Sequence, residues 1–257
     1  MSVWAARRFW KEARVVEGAG GHGVHLDEKS VRTPAKAELV VPTRQLAEAI
    51  AAEWDAQAGV IQPATMPLTR AANVTIDRVG QQRDAVAAML AEYGGSDLLC
   101  YRADAPEGLA AWQAQAWDPL LEWAESVFSV RLKITRGVMP VKQDPATLNR
   151  LHDATRLLDN WALTAFHDLV SLSGSLIIGF AALRKIAPAE TLWQASRIDE
   201  TWQQEQWGQD EEAQAAAERK RCDFLDAMRF HDLSRGRDVQ AQAFQNRPPH
   251  PISSTKT

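Results

Sequence analysis

Leu39-Val40-Val41-Pro42-Thr43-Arg44-Gln45-Leu46-Ala47-Glu48-Ala49-Ile50-Ala51-Ala52-Glu53-Trp54 is where the chain changes its period. Leu39–Val41 is a short apolar run that stops at Pro42. Thr43 then offers an N-cap hydroxyl, and Leu46, Ile50 and Trp54 follow at i, i+4 and i+8 on one helical face. Gly59 is expected to close that helix. Upstream the reading is β. Val15 and Val16 open a strand, Val24 and Leu26 alternate around His25, and Asp27-Glu28-Lys29 is a turn-like tripeptide before Val31. Short strands divided by turn chemistry predict a hairpin or meander.

Downstream the reading is helical. Helices are expected over Met66–Val79, Arg83–Tyr93, Pro106–Phe128, 145–158, 160–184, 188–206 and 209–232. Gly94-Gly95 is a stop and Gly137–Pro140 a turn, with short strands at Leu98–Tyr101 and Val130–Ile134. Strands first and helices after predict an α+β fold rather than alternating βαβ units. The expected division is a small β-rich portion with one helix (1–62), a helical domain (63–233) and a loose tail (234–257), whose composition turns polar and Pro-containing.

Bulk properties narrow the function. At 257 residues and 46% hydrophobic content the chain can bury a sizeable core. A net charge of −4 argues against a nucleic-acid binder, whose phosphate contacts need a basic surface. Cys100 and Cys222 form neither a metal spacing nor a disulfide framework, which fits a reducing compartment. MSVWAARRFWKE lacks the apolar stretch of a signal peptide, and none is expected. Leu163–Leu183 is the most apolar stretch. Its clean part, Leu169–Leu183, is too short for a bilayer span and reads as a buried helix.

Several motifs are decoys. Gly18-Ala19-Gly20-Gly21-His22-Gly23 matches GxGxxG, but a strand-like segment follows where dinucleotide binding needs a helix, so a hairpin loop is expected. No GxxxxGK[ST] is present. His167, Asp168 and Ser171 suggest a triad, yet no GxSxG elbow accompanies them, and His167 is expected to be a hydrogen-bonded helix histidine. Ser173, Gly174, Ser175 and Gly179 read as small residues that let helices approach. His22 and His25 fall on opposite faces of a strand and cannot share a metal. No cofactor and no catalytic residue is assigned.

Residues 199–212 hold six carboxylates and two Trp without a Lys or Arg. On an unbroken helix from Pro188, Ala195, Ile198, Trp202 and Gln206 share a face, and Trp207 points about 140° from Trp202. Gly208 predicts a break, and Asp210-Glu211-Glu212 then open the next helix, where the dipole favours acids. Arg219-Lys220-Arg221 offers pairs back to Glu212 and Glu218, and Ala213, Ala217, Phe224 and Met228 form a core stripe. Two rival functions remain. The cluster could serve a metal-dependent enzyme, although it has no EF-hand loop. Alternatively, the apolar helix at 160–184 could make the chain a helical adaptor.

RRFWKEARVVE, KSVRTPAKAELVVPTRQLAEAIAAEW, MPLTRAANVTIDRV, YGGSDLLCYRAD, AWDPLLEWA, FHDLVSLSGSLIIGFA and RIDETWQQEQWGQDEEA occur in this order over about residues 7–232. Together they resemble the ATP synthase assembly chaperones that bind the alpha subunit of the catalytic head, the "ATP-twelve" family. The resemblance implies a non-enzymatic protein that shields an interface of the unassembled alpha subunit until the beta subunit replaces it. It implies a bacterial cytoplasmic location, with the mitochondrial matrix as the eukaryotic equivalent, and a free monomer without membrane insertion. The family's sensitive acid follows its Trp-Gly pair by three positions, which is Glu211 here. Glu212 stands where other members carry an aromatic. The expected partner-binding residues are Glu211, Trp207, Asp210, Glu205 and Glu212.

Overall fold

The computed structural model describes residues 7–18, 20–137, 139–208 and 210–236, so the expected tail lies almost wholly outside the described residues. The fold is α+β. Strands β1 (Ala13–Gly18) and β2 (Gly21–Leu26) form an antiparallel hairpin with Val15 opposite Val24 and Gly18 opposite Gly21. The outer side of β2 pairs with β3 (Lys29–Ser30) and β4 (Val40–Val41). The GxGxxG match is therefore a hairpin. Gly21 sits at φ +136, and a side chain there would run into the Val41 carbonyl.

Helix α1 (Arg44–Asp55) begins where the period changes. Thr43 caps it, accepting from Leu46 N at 3.1 Å, and Leu46, Ala47, Ile50 and Ala51 are buried. The helix stops at Asp55, earlier than Gly59 suggested. The Asp55 carboxylate accepts from Ala13 N at 2.9 Å, tying the helix end to β1. Gly59, at φ +72, lies in the following loop and accepts from Arg8 N. Glu53 reaches the start of α2 (Pro67–Val74), accepting from Leu68 N, Thr69 N and Thr69 Oγ1 at 2.7–2.8 Å. A π-helical turn over Thr75–Val79 joins α2 to α3 (Gly80–Ala91), which is broken at Gln82 (φ −126, ψ 27). The two helices expected over Met66–Tyr93 are thus one run with a bend.

Both expected short strands are displaced. Asp97 folds Leu98–Cys100 into a 3-10 turn by accepting from Leu99 N, so the strand is β5 (Tyr101–Arg102). Its parallel partner is β6 (Thr135–Arg136) rather than Val130–Ile134. The Gln143 side chain occupies both the N–H and the carbonyl of Lys133, replacing a strand ladder.

Helix α4 (Glu107–Phe128) buries Trp117, whose Nε1 donates to Ala195 O at 2.7 Å. Helix α5 (Pro145–Arg156) follows. The apolar segment expected as one helix is two, α6 (Asn160–Ser173) and α7 (Leu176–Leu183). Gly174 takes φ +74, Ser175 caps α7 by accepting from Ile178 N, and buried Asp97 accepts from Ile177 N at 3.1 Å. Gly179 lies against Phe166 and Val170, where an added Cβ would stand 2.6 Å from Val170 Cγ2. Close helix approach is its role. No described helix is long and apolar enough to cross a membrane.

The expected helix 188–206 is also two, α8 (Ala189–Ala195) and α9 (Ile198–Trp207). The Ser196 hydroxyl donates to Trp193 O at 2.7 Å, and Arg197 leaves helical geometry (φ −115, ψ 14). Helix α10 (Glu211–Ser234) runs back across α6 and α2. One contiguous apolar core joins the sheet, α1 and the helices, with Trp117, Phe166, Phe224 and Phe230 at its centre.

Candidate partner-binding surface

Helix α9 is seated by its first turn and by one indole. Ile198 is buried, and Asp199 accepts from the buried Gln113 amide of α4. Trp202 is half-buried. It lies over Gly108, where an added Cβ would stand 3.0 Å from the indole, and beside Trp112 at 6.4 Å between ring centroids. The break at Ser196–Arg197 removes the single face drawn from Pro188. Arg197 instead lies 5.2 Å over the Trp193 ring and pairs with Glu200 at 2.9 Å.

Trp207 is different. Five residues past Trp202, it is turned about 140° away and left 80% exposed. An indole this wet is unusual, because Trp is mostly well buried. The helix ends beside it. Gly208 takes φ +90 and ψ 171, a conformation that favours glycine, and its N–H donates to Gln204 O at 3.0 Å.

Asp210 caps α10, accepting from Glu212 N at 2.9 Å. Glu211 and Glu212 follow in the first turn, where the helix dipole stabilises negative charge. Glu205, Asp210, Glu211 and Glu212 are all exposed.

Of the basic run on α10, Arg221 is already engaged. Arg221 pairs with Glu190 of α8 and Glu218 of α10, each at 2.8 Å, rather than with Glu212. Among the described residues no ion pair reaches Glu205, Asp210, Glu211 or Glu212. Glu211 also borders a shallow cleft between α8, α9 and α10 of about 520 Å³, shared with Trp193, Gln204 and Arg221. In the expected core stripe, Phe224 and Met228 are buried but Ala213 is exposed.

The acidic window therefore divides in two. Asp199, Glu200 and Trp202 hold α9 in place, whereas Glu205, Trp207, Asp210, Glu211 and Glu212 lie on one exposed hinge. Sequence reasoning missed Glu190, which fixes α10 to α8 through Arg221, and Gln113, which receives Asp199. Both lie far away in sequence and carry no local signal. Among the described residues no group of three or more His, Cys, Asp or Glu is arranged to hold a metal ion. His167 Nδ1 lies 2.9 Å from Asp168 Oδ1 on the exposed side of α6, and that carboxylate holds the imidazole pKa above its ordinary value. Cys100 is buried and Cys222 exposed, and both are free thiols.

The fold recurs in known proteins. The crystal structure of Atp12 from Paracoccus denitrificans superposes with a TM-score of 0.86 and 52% sequence identity, covering 89% of this chain and 98% of that one. This chain belongs to the ATP12 chaperone family. The family's description, ATP12 chaperone protein, matches residues 7–125. A solved protein of Agrobacterium tumefaciens is 38% identical with a TM-score of 0.84, covering 88% of this chain and 85% of that one. The mitochondrial protein atp12 of Schizosaccharomyces pombe is 27% identical over 220 residues, 80% of this chain and 75% of its own length. The matched span 7–125 takes in the sheet, α1 to α3 and most of α4. The α9–α10 hinge of this ATP12-family chain lies outside that span but within the fold it shares with the solved relatives.

Proposed function

We propose that this chaperone acts in assembly of ATP synthase, holding the unassembled alpha subunit of the catalytic head, and that the α9–α10 hinge is its contact. The observation that supports the reading most is Trp207. A bare indole beside four carboxylates without ion-pair partners is a poor surface for a protein that acts alone, and a good one for gripping a basic, partly apolar partner. Unassembled subunits expose apolar interfaces that aggregate. An aromatic anchor supplies most of the holding energy, while exposed charge orients the partner and still allows release.

The roles divide accordingly. Trp207 is the apolar anchor. Glu211 pairs with an Arg or Lys of the alpha subunit, Glu205 and Glu212 add to the attracting field, and Asp210 sets the hinge geometry through its cap. The chain is non-enzymatic in this reading and works where the catalytic head is assembled, the bacterial cytoplasm or the mitochondrial matrix. Co-expression with the alpha subunit tests it. Wild type keeps the alpha subunit soluble, and Glu211→Lys lets it aggregate although the variant itself folds. Full protection by folded Glu211→Lys would sink the assignment of Glu211.

A further inference from the structure

Another unfilled feature of the described residues lies away from the hinge. A groove of about 590 Å³ runs along the outer side of α6, with the α2–α3 run on one side and α10 on the other. The π-helical turn at Thr75–Val79 and the break at Gln82 bend the α2–α3 wall, and local irregularities of this kind recur at functional sites. The bend is anchored to α6 and to the loop after β3. Thr75 Oγ1 bonds Thr164 Oγ1 at 2.8 Å, and Asp77 accepts from Thr33 Oγ1 at 2.6 Å and from Ala35 N at 3.0 Å. Arg78, next along the turn, borders the groove.

Its walls carry opposite charge. Arg70 and Arg78 stand on the α2–α3 side, Asp223 and Asp226 on the α10 side. No side-chain hydrogen bond or ion pair engages any of these four among the described residues, in contrast to the committed Arg221 and Arg197. Burial, reinforced by neighbouring Asp223, pushes the Asp226 carboxyl above its ordinary range, against the opposing charges of Arg229 and Arg70. On the α2–α3 wall apolar groups are left open, with Val74 42% and Met89 44% exposed, and the floor between the charged rows carries His167, Asp168, Ser171 and Leu172 of α6.

We infer that this groove is a second client surface, which takes an amphipathic helix carrying acids on one flank and bases on the other. The apolar stripe of the helix lies over Val74 and Met89. Its acidic flank meets Arg70 and Arg78, and its basic flank meets Asp223 and Asp226. Such a segment satisfies all four charges at once, and helix-in-groove docking is a recurrent recognition mode. The inference rests on the chaperone reading above, because the occupant is a helix of the same client. Asp223 lies twelve residues beyond Glu211 on α10, about 18 Å along the helix axis, so one client reaches both surfaces.

Capture of the co-expressed alpha subunit by the full chain is the test, comparing wild type with Arg78→Glu, Asp226→Lys and Met89→Asp. Leu157→Ser, at a site 85% exposed and outside the groove, is the control. The groove variants are expected to weaken capture at least about tenfold with unchanged melting temperature, while Leu157→Ser captures like wild type. A photo-crosslinking phenylalanine analogue placed at Met89 gives a readout that does not depend on disruptive variants. The expected adduct maps to one alpha-subunit helix with acids and bases on opposite flanks. If wild type captures the alpha subunit, the groove variants capture it equally and Met89 gives no adduct, the groove inference is overturned while the hinge assignment stands. If wild type captures no alpha subunit, both fall.

Discussion

Two helix breaks in this molecule use the same local chemistry and end in opposite surroundings. At Gly174-Ser175 a glycine at φ +74 ends α6 and a serine caps α7. At Gly208 a glycine at φ +90 ends α9, and Asp210 caps α10 two residues on. Every residue of α7 is buried, whereas Ile198 alone is buried in α9. Gly-plus-cap chemistry decides where a helix stops. The side chains beside the break decide whether it becomes core or surface. Leu98 and the buried Asp97 carboxylate lie against the first break, while Trp207 and unpaired acids flank the second.

The contrast breaks most readily in the core. Phe166→Ala removes a fully buried ring that packs 4.6 Å from Phe180, centroid to centroid. It should cost about 3–5 kcal/mol, read as a lower urea midpoint. The equivalent truncation at the hinge, Trp207→Ala, should move the same midpoint by less than about 0.5 kcal/mol.

A second prediction uses the acid at the buried break. Burial drives the Asp97 carboxyl up to about 6, against hydrogen bonds from Ser175, Ile177 and Leu99. A raised carboxyl penalises folding above its folded pKa, and the penalty fades as pH falls through that value toward the unfolded one. Wild type should therefore gain about 1.4 kcal/mol relative to Asp97→Asn between about pH 7.5 and about pH 5. Parallel stability curves for the two proteins would remove Asp97 from the account.

A smaller effect than either core prediction sharpens the exposed side. Asp210→Ala deletes the cap of α10 and should cost about 1 kcal/mol, visible as a modest drop in melting temperature. Hydrogen exchange should locate that loss in the first turn of α10 and leave α7 unchanged.

The same contrast explains what could be read in the sequence. The start of α1 was legible because Thr43 and the stripe Leu46, Ile50, Trp54 are all local. The Gly208 break and the acids that open α10 were legible for the same reason. The break at Gly174-Ser175 was not, although its residues were noted, because the carboxylate that completes it comes from Asp97, far upstream. The displaced strand at Val130–Ile134 depends likewise on Gln143. The hinge was legible as a conflict between Trp202 and Trp207, but the seat of Trp202 on Gly108 and Trp112 of α4 carried no local signal. The α6 groove was invisible because its charges come from three separate segments.

The central claim is that the hinge, rather than the fold at large, holds the client. Its most direct test is a titration of the alpha subunit against wild type and Trp207→Ala, with melting temperatures measured on the same samples. The account predicts a loss of binding of at least about 2 kcal/mol, some thirtyfold in Kd, with the melting temperature unchanged. Equal affinity for the two folded proteins would contradict it.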